Sequence, residues 1–436
     1  MKHSRVLATV VLTILVAGNT KPQSVDSLTV EDAVRQVIAQ HPMVEQATHA
    51  VEASLARVEQ SRSSYYPTSD IGLSYVGLGP VAELAFPGLG DFKLFPENNY
   101  DEHISLKQTV YDFGKTSSSV ELRQQSARVM GHSVTLTKTT LAFQTIQTFY
   151  AILFLRQSAE VQQQQIAVLN QHLIVARRKV QAGTATDFDL LTTQVRIAAA
   201  QNRRFDILND LRKQEATFRR LLGLSSDTDI RIRGDFTPTP LALNVDSLMD
   251  VARNQRTELQ QARDEEKVAA LQEDVASTRD MPTVKVNLAY GVKNGYIPNL
   301  EVLRGNWVVG LDVDVPIFNG FHTRAEEEEA MANRLASEAH TSDMERLVAA
   351  EVQQSISDVR TSADKIETSM LQVEQAKQAL DIATVRYESG VITNLDLIDA
   401  ETALAQARLG HLQALFDYVI SSTRLDRAVG NPLFKD

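Results

Sequence analysis

Arg386-Tyr387-Glu388-Ser389-Gly390-Val391-Ile392-Thr393-Asn394-Leu395-Asp396-Leu397 is a helix stop followed at once by a helix start, and the chain makes it twice. At an offset of 207 residues it reads Gly183-Thr184-Ala185-Thr186-Asp187-Phe188-Asp189-Leu190, with glycine, threonine, acid and leucine in the same places. Glycine ends a helix cheaply because it enters the left-handed region without a Cβ penalty. A threonine three residues on, followed by an acid after three more, is the pattern of a capped helix start. Both stretches are therefore predicted to be tight helical hairpins, turning on Gly183 and on Gly390.

The repeat extends outward from the turns. At the same offset Tyr111–Gly223 lies on Phe318–Gly430 without a gap, so that Glu121 meets Glu328, Gln147 meets Gln354 and Gly223 meets Gly430. Upstream an offset of 215 lays Val30–Tyr75 on Val245–Tyr290, with Pro67 on Pro282. Self-similarity at this length organises a chain more strongly than any local signal. Two copies follow, at 28–224 and 243–431, joined by a linker at 225–242 that contains Thr237-Pro238-Thr239-Pro240. Each copy is predicted to run helix, strand, strand, very long helix, turn, long helix.

No proline interrupts Glu97 to Thr237 or Ile317 to Asn431. Lys115 to Ala182 reads as one helix, on the order of 100 Å long at the helical rise. Its apolar positions step by three and four through Ile166, Leu169, Leu173, Ala176 and Val180. The second copy shows Ile356, Val359, Ala363, Ile366, Met370 and Val373, then, beyond its turn, Leu395, Ile398, Thr402 and Ala405. That spacing predicts heptad packing between neighbouring helices.

The strands alternate instead with a period of two. Ile71, Leu73 and Tyr75 oppose Asp70, Gly72 and Ser74, and Ile104, Leu106 and Val110 oppose His103, Ser105, Lys107 and Thr109. In the second copy Val284, Val286, Leu288, Tyr290 and Val292 oppose Lys285, Asn287, Ala289 and Gly291, and Val309, Leu311, Val313 and Val315 oppose Gly310, Asp312 and Asp314. Residues 70–110 and 284–316 are thus predicted to be two β-hairpins, apolar on one face and polar on the other, as in a barrel wall between lipid and water. A soluble sandwich would share the alternation. Four strands cannot close, and an open edge in lipid leaves backbone groups unsatisfied. Subunits must pool strands: two copies give a filled eight-stranded barrel and three give twelve with a lumen. Counting leaves both open, although only the larger one conducts.

Composition removes other classes. The 436 residues carry a net charge of −11, which disfavours nucleic acid as a partner. There is no cysteine, hence no disulfide, thiolate metal site or cysteine nucleophile. The nine histidines are scattered, and no phosphate loop or nucleophile elbow occurs. No enzyme activity and no cofactor are expected. Lys2, His3 and Arg5 precede the apolar run Val6 to Val16, and Val16-Ala17-Gly18 offers small residues, so 1–18 is expected to be a secretory signal peptide. That run is too short to span a bilayer as a helix.

The stretch from Arg386 to Ala400, the tandem copies, the Tyr111-Asp112-Phe113-Gly114 step and Pro316-Ile317-Phe318-Asn319-Gly320 together resemble the TolC family of outer-membrane efflux and secretion channels. The resemblance covers nearly the whole chain beyond the signal peptide. It implies a mainly α protomer of a homotrimer, whose twelve-stranded membrane β-barrel continues as a long periplasmic α-helical barrel. It implies a place in the outer membrane of a Gram-negative bacterium. It further implies a periplasmic adaptor as partner, together with an inner-membrane transporter of RND or ABC type that supplies the energy. A periplasmic coiled-coil scaffold or adhesin is the alternative that helix periodicity alone allows, but a rod has no use for four amphipathic strands.

Residue roles follow from the turns and the resemblance. Gly183, Thr184 and Ala185, with Gly390, Val391 and Ile392, are expected at the outermost tip and in contact with the adaptor. Tyr387 matches a family tyrosine that ties one helix pair to its neighbour, and Asp189 matches the acid it bonds. Family members place an arginine where this chain has Ile392. Asp396 and Asp399 lie three apart and share a helical face, so three subunits would stack them as two carboxylate rings that favour cations. Thr192 occupies the place of Asp399 in the first copy.

Overall fold

The structure is a computed structural model that describes residues 27–434 apart from 87, 89, 240 and 242. The expected signal peptide at 1–18 lies outside the described residues, as does Pro240 of the linker. Each copy opens with two short helices rather than one: α1 (Val30–Gln40) and α2 (Pro42–Arg62), then α5 (Val245–Gln255) and α6 (Thr257–Ser277). The break in the first copy falls at Pro42, which takes the first helical position because it has no N–H to leave unpaired. Arg256 makes the break in the second. Its buried guanidinium bonds Glu258 at 2.7 Å, Glu351 at 2.6 Å and the Arg427 carbonyl at 3.1 Å. Gly430 packs onto this joint so closely that a Cβ would stand 2.8 Å from the backbone of Gln255.

Four strands form one antiparallel sheet in the order β1 (Thr68–Gly77), β4 (Asn98–Tyr111), β5 (Thr283–Lys293), β6 (Arg304–Asp314). The β4–β5 pair joins the two copies. A separate hairpin, β2 (Glu83–Phe86) with β3 (Gly90–Lys93), fills the loop of the first copy. That hairpin is additional to the expected four strands, and β4 begins earlier than expected. The charges of Asp101 and Glu102 hide its alternation from a hydropathy reading.

Register sorts the side chains into two faces. One row is Ile71, Ile104, Tyr290 and Trp307, and its neighbour is Ser69, Leu106, Leu288 and Val309. The other face carries Gly72, His103, Gly291 and Asn306, then Ser74, Asp101, Lys293 and Arg304. A bulge between Thr109 and Tyr111 shifts the β4 pairing. As a result Tyr111, and not Val110 as the alternation implies, lies in line with Val284 and Val313. Among the described residues the 3-10 turn Ser63–Tyr65 touches β4, and no α-helix covers either face of the sheet. Ile71 and Trp307 are accordingly 75% and 73% exposed in the single chain. None of the described helices is long and apolar enough to cross a membrane.

The step from sheet to helix is built alike in both copies. Phe113 and Gly114 have φ of 55° and 96°, and their counterparts Gly320 and Phe321 have 70° and 68°. Two successive left-handed residues turn the chain sharply, and one of each pair is phenylalanine despite the penalty for a Cβ there. Asp112 then caps α3 (Lys115–Gln181), accepting from the N–H groups of Gly114 at 3.1 Å and Thr116 at 2.8 Å. The second long helix, α7, spans His322–Glu388. The return helices are α4 (Asp187–Leu222) and α8 (Asn394–Val429).

The long helices lie side by side: α4 packs on α3, α3 on α8 and α8 on α7. Midway along α3 and α7 two apolar cores hold them. One gathers Val37, Leu141, Phe149, Ile152, Phe218 and Leu221, and the other Val348, Val352, Ile356, Val359, Tyr418 and Leu425. The linker straps the first core. Leu28 pairs with Ile232, and Arg156 donates to the Ile230 carbonyl at 2.8 Å. Towards the turns a third cluster of Ile166, Leu169, Ile197, Ala200 and Ile398 spans both hairpins. Met370 and Leu395, expected on packed stripes, are exposed in the single chain.

Candidate functional site

The two turns end the helices as their glycines require. Gly183 at φ 74° lets the Thr184 N–H reach the Lys179 carbonyl at 2.8 Å, and Gly390 at φ 75° lets that of Val391 reach Arg386 at 2.9 Å. The next helices begin on capping boxes. The Asp189 carboxylate accepts from the Thr186 N–H and hydroxyl, both at 2.9 Å. The Asp396 carboxylate does the same for Thr393, at 2.9 and 2.7 Å. These bonds hold the Asp396 carboxyl below its ordinary pKa, the Thr393 hydroxyl first and the Thr393 N–H second. Both aspartates are thus helix caps, whatever else they do.

Of the six tip residues, Thr184 and Val391 are exposed and the turn glycines flank them. Ile392 is turned inward. It packs against Ala383, Tyr387 and Leu397, where its side chain completes the second hairpin's end. The sequence position of Ile392 next to Val391 hides this, because a turn reverses side-chain direction between neighbours.

Tyr387 is 6% exposed, and its hydroxyl has no hydrogen-bond partner among the described residues. The expected bond to the Asp189 carboxylate is not made in this chain. Burial first, and the nearby Asp189 charge second, raise the pKa of the hydroxyl. Lys179 holds the tyrosine instead. Its ammonium donates to the Tyr387 carbonyl at 2.6 Å and lies 3.9 Å from the ring centroid. That combines a charge-assisted bond with a cation–π contact.

Further contacts join the hairpins. The Asn394 amide, buried at the start of α8, donates to the Asp189 carbonyl at 3.2 Å and the Thr193 hydroxyl at 3.1 Å. Arg196 on α4 stands 3.3 Å from Asp399 on α8. His172 on α3 stands 3.0 Å from Glu401, which is 4% exposed. Arg408 donates to Gln164 at 3.1 Å. Sequence reasoning named Asp189, Tyr387, Asp396 and Asp399 but missed Lys179, Asn394, Arg196, His172 and Glu401. The signal was there: Ala379, Gln194 and Ala403 occupy the places of His172, Glu401 and Arg196 in the other copy.

Residues 33–224 and 248–431 match the outer membrane efflux protein family, and the two matched segments fall on the two repeats. The outer membrane protein TolC of Salmonella enteritidis is 21% identical over 415 residues, covering 91% of this chain and 80% of that protein. The cobalt-zinc-cadmium resistance protein CzcC of Cupriavidus metallidurans is 23% identical over 322 residues, covering 73% and 74%. Among solved structures CusC superposes with a TM-score of 0.81 at 14% identity, over 92% of each chain. At that identity the superposition shows the shared fold.

Proposed function

This chain belongs to the outer membrane efflux protein family, and we propose from that premise that three copies of it close into one continuous duct. The protein is an outer-membrane channel of a tripartite efflux or type I secretion system and extends from that membrane into the periplasm. The observation that carries the trimer is the pair of free edges at both levels of the fold. In the sheet, β1 and β6 are unpaired edges. In the helical wall, α4 and α7 are the outer members, each with an unpartnered apolar stripe. Phe188, Leu191 and Val195 form the stripe on α4, and Ile382 and Val385 the one on α7. Unlike edges at opposite ends of a protomer associate head to tail, and a rotation that closes makes a ring. Three copies of a four-stranded sheet supply twelve strands, enough for an open lumen. In that ring the row of Ile71, Ile104, Tyr290 and Trp307 faces lipid and the row of Ser74, Asp101, Lys293 and Arg304 faces water.

The hairpin tips take the periplasmic adaptor. Gly183, Thr184, Ala185, Gly390 and Val391 form the docking edge, and Ile392 supports it from within. The adaptor couples the duct to an inner-membrane transporter of RND or ABC type. Asp189, Tyr387, Asp396 and Asp399 form the gate and constriction, with Lys179 and Asn394 fastening one hairpin to the other. Purified protein reconstituted in planar bilayers should give discrete, long-lived, cation-selective conductance steps. A folded, membrane-inserted oligomer that conducts nothing would overturn the channel reading.

A further inference from the structure

Arg196 and Asp399 are a matched pair that neither repeat contains alone. The position of Asp399 in the first copy holds Thr192, whose hydroxyl turns back to its own helix and donates to the Phe188 carbonyl at 2.5 Å. The position of Arg196 in the second copy holds Ala403. Around them the copies agree, with Asp189 matching Asp396 and Leu190 matching Leu397. An acid peculiar to one hairpin thus meets a base peculiar to the other, 3.3 Å apart. A solvated helix face needs neither.

Both side chains are about half exposed, at 44% and 59%. Such a pair is a weak fastener, screened by salt. Its effect on charge is larger than its effect on stability. A guanidinium in contact with a carboxylate turns a point charge into a dipole, so an ion more than a few ångström away feels little of the acid. The Asp396 carboxylate, in contrast, accepts among the described residues only from the neutral N–H and hydroxyl of Thr393 and keeps its field.

We infer that Arg196 sets the charge of the constriction, neutralising Asp399 while the two hairpins are together and unmasking it as an acid when they part. This rests on the proposed reading that Asp399 faces the duct. Selectivity is then a property of the tip's state as well as of its composition: the parted tip is the more cation-selective one.

The test uses the full assembly in planar bilayers, reading reversal potential in a salt gradient and half-blocking concentration of a trivalent cation. Arg196→Gln should shift the reversal potential towards cations and lower the half-blocking concentration about three- to tenfold, with the difference shrinking at high salt. Arg196→Lys, which keeps the charge, should stay near wild type, and so should Arg196→Gln/Asp399→Asn, which removes both charges, whereas Asp399→Asn alone leaves the guanidinium unpaired and should weaken block. If Arg196→Gln is silent while Asp399→Asn weakens block, Arg196 does not set the charge and the inference is overturned. If Asp399→Asn is silent too in a folded assembly, the duct-facing reading falls and the inference falls with it.

Discussion

Lys179 reaches from α3 to the ring and carbonyl of Tyr387, while the tyrosine hydroxyl is buried without a partner among the described residues. Those two facts separate two ways of holding the tip. Removing an unsatisfied buried hydroxyl is close to neutral, because no bond is lost. Tyr387→Phe should therefore leave single-channel conductance and open time as they are. Lys179→Met removes the ammonium's bond and its cation–π contact, and should lengthen openings. The opposite ranking in single-channel recordings would return the lock to the hydroxyl. This division was only half legible in the sequence. Tyr387 stands out by its place before the turn glycine. Lys179 is one basic residue in the last turn of a helix, beside Arg177 and Arg178, and only the reach of its ammonium to Tyr387 at the end of α7 selects it. Asn394 was hidden likewise, since a polar residue opening a helix looks like ordinary capping until its amide is seen bonding the other hairpin.

At the scale of the elements, α3 and α8 bring His172 within 3.0 Å of buried Glu401, although neither Glu401 oxygen makes a hydrogen bond among the described residues. Breaking such a pair strands one partner. His172→Ala should destabilise the helical part by about 1 kcal/mol, whereas replacing both residues together with apolar side chains of similar size should leave it at least as stable as wild type. Chemical denaturation followed by circular dichroism in detergent checks both arms, and a single variant as stable as wild type would show that the pair does not hold the hairpins. The turns themselves obey local chemistry. Gly390 sits at φ 75° with open space where a Cβ would go, so Gly390→Ala should cost roughly 1 kcal/mol from backbone strain alone. Equal thermal midpoints for that variant and wild type would contradict it. The elements were legible where one rule governs. Glycine and capping threonine mark the hairpins, and freedom from proline with heptad spacing marks the long helices. They were obscured where two rules compete. The bulge at Thr109 hands the apolar row from Val110 to Tyr111, and charged Asp101 and Glu102 conceal the start of β4.

For the whole molecule, the repeat was readable because the two copies keep register through their helices and turns, and the fold follows it: two copies, one sheet shared between them, one helical wall. How copies associate is less legible, since strand counting alone allows two or three. The free edges β1 and β6, with those of α4 and α7, favour a ring of like protomers joined head to tail. Exposed Met370 and Leu395, which fill no groove within the chain, fit that ring as contacts completed by a neighbour. The number of chains in the ring is the central claim, because lumen, gate and charge rings all follow from it. Native mass spectrometry of the detergent-purified protein measures it directly. A single species of three chains is the predicted result; a stable monomer, a closed dimer or an open-ended ladder of oligomers would contradict it.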